Sequence, residues 1–162
     1  MVKDKVKLHE GMKIRCGVFT TDREYAEGMI NCLKDRHGGK VKKYINSANE
    51  LSCYMNDGTN YIWIKPFDCS RSYRCSQAVV DIATCSFDAI QKLILPICIF
   101  ADKEDFIIDQ SVEEKLGLFQ FIERLKKIAI IKGDMPVYFN DYDSPPQDIF
   151  GFDIKEDGLN LW

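Results

Sequence analysis

The stretch Gln77-Ala78-Val79-Val80-Asp81 constrains this chain more than any other. Ala78-Val79-Val80 is an unbroken apolar run with no polar residue alternating through it, so both of its faces need cover. Such a run belongs to a strand inside a mainly parallel sheet, sandwiched between helices. The run ends in an acid, and Ser86 with Asp88 then predicts a helix start, Ser86 as its cap and Asp88 in its first turn. Pro96 predicts that this helix kinks or ends near Leu95.

The flanking segments supply the partners that such a strand requires. Lys13 to Phe19 reads as a strand, and Thr20-Thr21-Asp22 offers an N-cap for a helix from Arg23 to Arg36. Tyr25, Met29, Cys32 and Leu33 mark the expected buried face of that helix, and His37-Gly38-Gly39 its end. Lys40 to Ile45 is a further strand. Glu50 to Met55 and Tyr61 to Pro66 flank Asn56-Asp57-Gly58-Thr59-Asn60, a hairpin signal. Asp102 to Gln110 fits strand or loop. Ser111-Val112-Glu113-Glu114 has capping-box spacing and opens a helix reaching about Lys127, with Leu116, Phe119, Phe121, Ile122 and Leu125 as its buried stripe. Ile128 to Ile131 either continues that helix or begins a strand. Met135 to Phe139 reads as a strand, and the chain beyond Asp141 is loop-like. At 162 residues the expectation is one α/β domain with a mainly parallel central sheet, a β-hairpin and an acidic C-terminal extension.

Charge separates the end of the chain from its body. From Asp134 to Trp162 seven acids face one base, Lys155, leaving 21 bases and 18 acids elsewhere. No apolar run reaches the roughly 18 residues that span a bilayer, and Met1-Val2-Lys3-Asp4-Lys5 lacks the apolar region of a signal peptide, so a cytoplasmic protein with no membrane partner is expected. Seven cysteines, an odd number without a C-x-x-C pair, predict reduced thiols acting as small buried hydrophobes. Cys69, Cys75, Cys85 and His37 would supply four zinc ligands, but at spacings that match no common site.

Arg71 stands ten residues ahead of Asp81, with Arg74 between them. This segment resembles the approach to Walker B in phage terminase large subunits and their helicase-like relatives. The Ile14–Thr21 strand and turn, the Asn56–Ile64 hairpin and Pro96 repeat the order of those ATPases over about residues 13 to 100. The families usually read Arg-Gly and end the strand in Asp-Glu; here Ser72 and Ile82 occupy those places. No G-x-x-x-x-G-K-[ST] cradle for phosphates occurs, Gly38-Gly39-Lys40 being its only fragment. The resemblance therefore implies a degenerate ATPase core that has lost Walker A and the catalytic Glu, does not hydrolyse ATP and holds no cofactor. Within it Asp81 is the one candidate for Mg²⁺. The competing reading is an acid that caps the next helix or pairs with Arg71 or Arg74.

No catalytic residue is assigned. His9 and His37 lie in polar segments without evident partners. The leading expectation is a non-catalytic phage-type accessory or inhibitor protein that binds a protein partner with a basic surface. Asp141, Tyr142, Asp143, Asp148, Phe150 and Trp162 would form its interface, the acids steering encounter and the aromatics anchoring it. The alternative is a nucleic-acid- or nucleotide-binding fragment of a terminase-like ATPase. It would use Arg71, Arg74, Lys42 and Lys43, with Lys40 and the stacking groups Tyr44 and Tyr73. A third class is a metal-dependent nuclease built on Asp141, Asp143 and Asp148.

Overall fold

A computed structural model describes residues 13–67, 74–111 and 116–135, and the backbone of short strands at 138–139, 147–148, 152–155 and 158–161. Among the described residues, ten strands and the helices follow in the order β1 (Arg15–Phe19), α1 (Arg23–His37), β2 (Val41–Asn46), β3 (Leu51–Met55), β4 (Asn60–Ile64) and β5 (Gln77–Asp81). Then come α2 (Phe87–Ala89), a π-helical stretch (Ile90–Ile94), α3 (Leu95–Ile97), β6 (Phe106–Asp109), α4 (Leu118–Lys132), β7 (Tyr138–Phe139), β8 (Gln147–Asp148), β9 (Phe152–Lys155) and β10 (Gly158–Leu161). Six strands form one sheet in the order β2-β3-β4-β1-β5-β6. β4, β1, β5 and β6 are parallel, and β3 runs antiparallel to both β2 and β4.

The apolar run of β5 lies where its composition requires. Val18 pairs with Val79 and Phe19 with Val80 in parallel register, and all four side chains are fully buried. Alternation sends them to two cores. Val18 and Val79 pack with Ala26 and Ile30 of α1 and with Trp63. Phe19 and Val80 pack with Ile90, Ile94, Ile97 and Ile131 on the other face. Burying one such valine contributes on the order of 1.5–3 kcal/mol, so a charge at either position would break the sheet at its centre.

Helix α1 starts as its sequence dictates. Asp22 caps it by accepting from the Tyr25 amide, and Gly38 closes it in the left-handed conformation at φ 71°. Its buried face differs from the expected one: Ala26 and Ile30 are innermost, Met29 and Leu33 pack beside them, and Cys32 is exposed. Tyr25 turns instead towards β6, where its hydroxyl donates to Asp109 at 2.7 Å.

The irregularity expected near Leu95 is a π-type turn, and the helix ends one residue past Pro96. The Leu95 amide donates to the Ile90 carbonyl, a π-type span, and the helix runs on to Ile97. A proline in a regular helix meets the carbonyl four residues earlier; widening the turn before Pro96 relieves that clash.

Helix α4 begins at Leu118, not at Ser111. Gly117 precedes it, its amide donating to Gln120 at 3.0 Å. The expected stripe is displaced as well. Lys127 and Ile131 are the buried residues, Phe119 is 87% exposed, and Leu118 and Ile122 are exposed too. The apolar cover on β6 comes from the second half of α4, so Ile128 to Ile131 continues the helix.

The expected loop beyond Asp141 also contains regular structure. β7 pairs with β8, and β9 pairs with β10 as an antiparallel hairpin. Arg71, Asp141, Tyr142, Asp143, Phe150 and Trp162 lie outside the described residues, as do His9, Cys69, Tyr73 and residues 112–115; Asp148 is described by its backbone alone. Among the described residues six cysteines are free thiols, all but Cys32 buried. No described helix is long and apolar enough to cross a membrane.

Candidate nucleic-acid interface

The two ends of the parallel strands differ in character. β1 leads through α1 towards β2, whereas β5 leads through α2 and α3 towards β6. The carboxyl ends of β1 and β5 are therefore a topological switch point, the usual ligand crevice of an open α/β sheet. Here side chains tie the two strand ends together, beside a cavity of about 410 Å³ lined by Thr21, Pro66, Phe67, Thr84, Asp88 and Lys92, among others. Asp81 Oδ2 accepts from Thr20 Oγ1 at 2.7 Å and from Thr84 Oγ1 at 2.8 Å. Oδ1 accepts from the amides of Ala83 at 3.1 Å and Ser111 at 3.0 Å. The Thr21 amide donates to Thr84 Oγ1, and Trp63 Nε1 donates to the Thr20 carbonyl at 2.9 Å.

Asp81 is fully buried. Burial alone would raise its pKa, but hydrogen bonds from Ser111, Thr20 and Thr84 outweigh it and hold the carboxyl below its usual range. With four donors on two oxygens the carboxylate has no lone pair turned towards an ion. The acid neither pairs with Arg74, which precedes β5 at the far end of the strand, nor caps the next helix, where Ser86 is the cap. Nearby, the Tyr25 hydroxyl is driven to higher pKa by burial and by Asp109. Asp22, Asp81 and Asp109 make this end unfavourable for phosphate. Among the described residues no cluster of three or more His, Cys, Asp or Glu is placed to hold a metal ion.

The amino ends of the strands carry the opposite charge. Lys43 of β2 pairs with Tyr54 of β3, Tyr54 with Asn60 of β4, and Asn60 with Arg15 of β1. Arg15 is joined to Ser76, which precedes β5: the Ser76 amide donates to the Arg15 carbonyl at 3.0 Å, and the Arg15 amide to Ser76 Oγ at 3.2 Å. Cross-strand neighbours share a face, so these five residues form a transverse row.

Two cavities open along the row. One of about 490 Å³ is lined by Lys13, Arg15, Lys42, Lys43, Tyr54 and Asn60, among others. The other, about 280 Å³, shares Lys13, Arg15 and Asn60 and adds Arg74, Ser76 and Phe100. A register shift between Val41 and Lys43 explains how two successive lysines reach one cavity. A regular strand would send them to opposite faces, whereas a bulge re-aims one.

Five bases thus line the two cavities against one acid, Asp57. Asp57 is already engaged. It accepts from the Thr59 amide at 2.8 Å and meets His37 Nε2 at 2.9 Å, and the Thr59 bonds foremost hold its pKa down. His37 Nδ1 accepts from the Gly39 amide, which leaves Nε2 as the protonated nitrogen and donor in neutral imidazole. This histidine, expected to stand without a partner, is tied into the hairpin. Arg15 Nε is buried without a hydrogen-bond partner, and Lys13, Lys42 and Lys43 enter no ion pair among the described residues.

Of the residues named from sequence, Lys42, Lys43 and Arg74 are brought to this end of the sheet, while Tyr44 sits exposed on the edge strand β2. Lys13, Arg15, Tyr54 and Asn60 were not anticipated. Their spacing carries no signal, since they come from strands joined only by register. No family model, curated protein or solved structure matches the chain. The likeness to terminase-type ATPases rests on the sequence motifs alone.

Proposed function

We propose that this protein is a non-catalytic nucleic-acid-binding protein, with its binding face at the amino ends of the central strands. The convergence of Lys13, Arg15, Lys42, Lys43 and Arg74 on two joined cavities carries the reading. Cations gathered on one concave surface favour a phosphate backbone by releasing its counterions. The absence of a phosphate-cradling loop from the sequence, and the saturation of Asp81, support binding without hydrolysis. Fluorescence polarisation with labelled oligonucleotides tests this at 50 and 200 mM salt. Affinity should fall steeply with salt, and Lys42→Ala with Lys43→Ala should weaken binding of every sequence alike. No binding at 50 mM salt, or binding indifferent to these changes, overturns the proposal.

The uneven charge favours a second reading, a phage-type accessory or inhibitor protein whose C-terminal stretch binds a basic protein partner. Seven acids against one base between Asp134 and Trp162 would steer such a partner. In a partner-association assay, Asp141→Asn, Asp143→Asn and Asp148→Asn together should then slow the on-rate. Unchanged association with those changes, but loss with Arg74→Ala, would place the contact on the basic groove.

A further inference from the structure

The basic groove is more than a patch of charge, and its layout selects among nucleic acids. This step rests on the nucleic-acid reading above. The row Lys43, Tyr54, Asn60, Arg15, Ser76 crosses five strands. At about 4.8 Å per strand it is roughly 19 Å long. Each cavity has its own aromatic wall, Tyr54 in the larger and Phe100 in the smaller, and the cations Lys13 and Arg15 belong to both. Aromatic, cation, aromatic is therefore the order along the groove.

A duplex keeps its bases stacked inside and presents phosphates on a stiff, wide cylinder. It would meet the exposed lysines and leave Tyr54, Asn60, Phe100 and the half-buried Arg15 without contact. A single strand offers free base faces to rings and free base edges to amides. Asn60 lines both cavities, and its side chain is in no hydrogen bond among the described residues. Its amide supplies both a donor and an acceptor. Arg15 lines both cavities, and a guanidinium is the group that pairs best with a phosphate oxygen between two splayed bases.

We infer that the groove binds single-stranded nucleic acid, with backbone phosphate on Lys13 and Arg15 and a base stacked on each of Tyr54 and Phe100. The full chain is titrated with fluorescein-labelled oligo-dT, oligo-U and a hairpin duplex of equal phosphate count. Single strands should bind at least about tenfold tighter than the duplex, consistent with stacking on two rings. Tyr54→Leu should weaken single-strand binding by about tenfold and leave the duplex unchanged, while Tyr54→Phe keeps the stacking face and the affinity. Should Tyr54→Leu fail to fold, Tyr54→Trp reports instead, because its emission, taken as the difference from the parent chain with Trp63 and Trp162, should be quenched when oligo-dT binds. Duplex binding as tight as single-strand binding, or an unquenched Trp at saturation, overturns this inference and leaves the broader reading standing. Failure of all three probes to bind removes both. Displacement of oligo-dT by polyglutamate at equal charge concentration would also overturn it, assigning the groove to acidic protein instead.

Discussion

Thr20 Oγ1 donates to Asp81 Oδ2 across 2.7 Å, and the two residues stand at the carboxyl ends of neighbouring parallel strands. One buried hydrogen bond thus joins the two strands at the place where open α/β sheets commonly take ligands. The two ends of the sheet differ in charge, with Asp22, Asp81 and Asp109 at the carboxyl end and Lys13, Arg15, Lys42, Lys43 and Arg74 lining the cavities at the amino end.

Loss of the acid should be costly. Asp81→Ala removes the acceptor of the amides of Ala83 and Ser111 and of the Thr20 and Thr84 hydroxyls, which can then bond only to each other across 3.2 Å. Each unsatisfied buried group costs about 1–3 kcal/mol, and denaturant unfolding should register a loss of at least ~3 kcal/mol. A change below 1 kcal/mol would show that the network does not hold the strand ends.

The same acid sets a pH dependence. The folded pKa of Asp81 is depressed, so its contribution is complete above the ordinary aspartate value near 4. It is lost as pH falls through the lower folded value. Urea midpoints measured from pH 7 down to pH 3 should fall at the acid end for the parent chain. Asp81→Asn should start lower at neutral pH and fall less.

Gly17 is required for close packing. A Cβ there would lie 2.8 Å from Phe19 Cε2 and 3.1 Å from Cys75 Sγ. Gly17→Ala should overpack this core, and equilibrium unfolding should show a loss of about 1–3 kcal/mol.

Lys127 is buried on α4 and donates to the Ile82 carbonyl at 2.9 Å. Lys127→Ala removes both donor and aliphatic stem and should cost about 2 kcal/mol or more. Lys127→Met keeps the stem and should lose less. Thermal melts of the pair separate packing from hydrogen bonding, and equal losses would assign the whole effect to the bond.

Thiol reactivity should follow burial. Burial and the neighbouring Cys75 push the Cys16 thiol up to about 12, which keeps it protonated and slow to react. Native alkylation followed by peptide mapping should label Cys32, the exposed member of the six described thiols, well before Cys16, Cys53, Cys75, Cys85 or Cys98.

Local structure was legible in the chain wherever a short-range rule governs it. Asp22 and Gly38 announce the ends of α1, the Asn56–Asn60 segment announces the β3–β4 turn, and Ala78-Val79-Val80 announces a strand buried on both faces. Each of these depends on residues a few positions apart, through capping, backbone conformation or a two-residue period. The buried stripes of α1 and α4 were misjudged, because a helix with apolar residues on several sides buries the one its neighbours cover. Pro96 announced an irregularity near Leu95, and the structure gives its form, a π-type turn followed by a helix end at Ile97. The groove was legible only in Lys42, Lys43 and Arg74. Its row joins residues 43, 54, 60, 15 and 76, an order imposed by strand pairing and by one bulge. Composition and spacing determine that this chain builds such strands. Register, which burial of the apolar faces and turn geometry select once distant segments pair, decides which side chains meet.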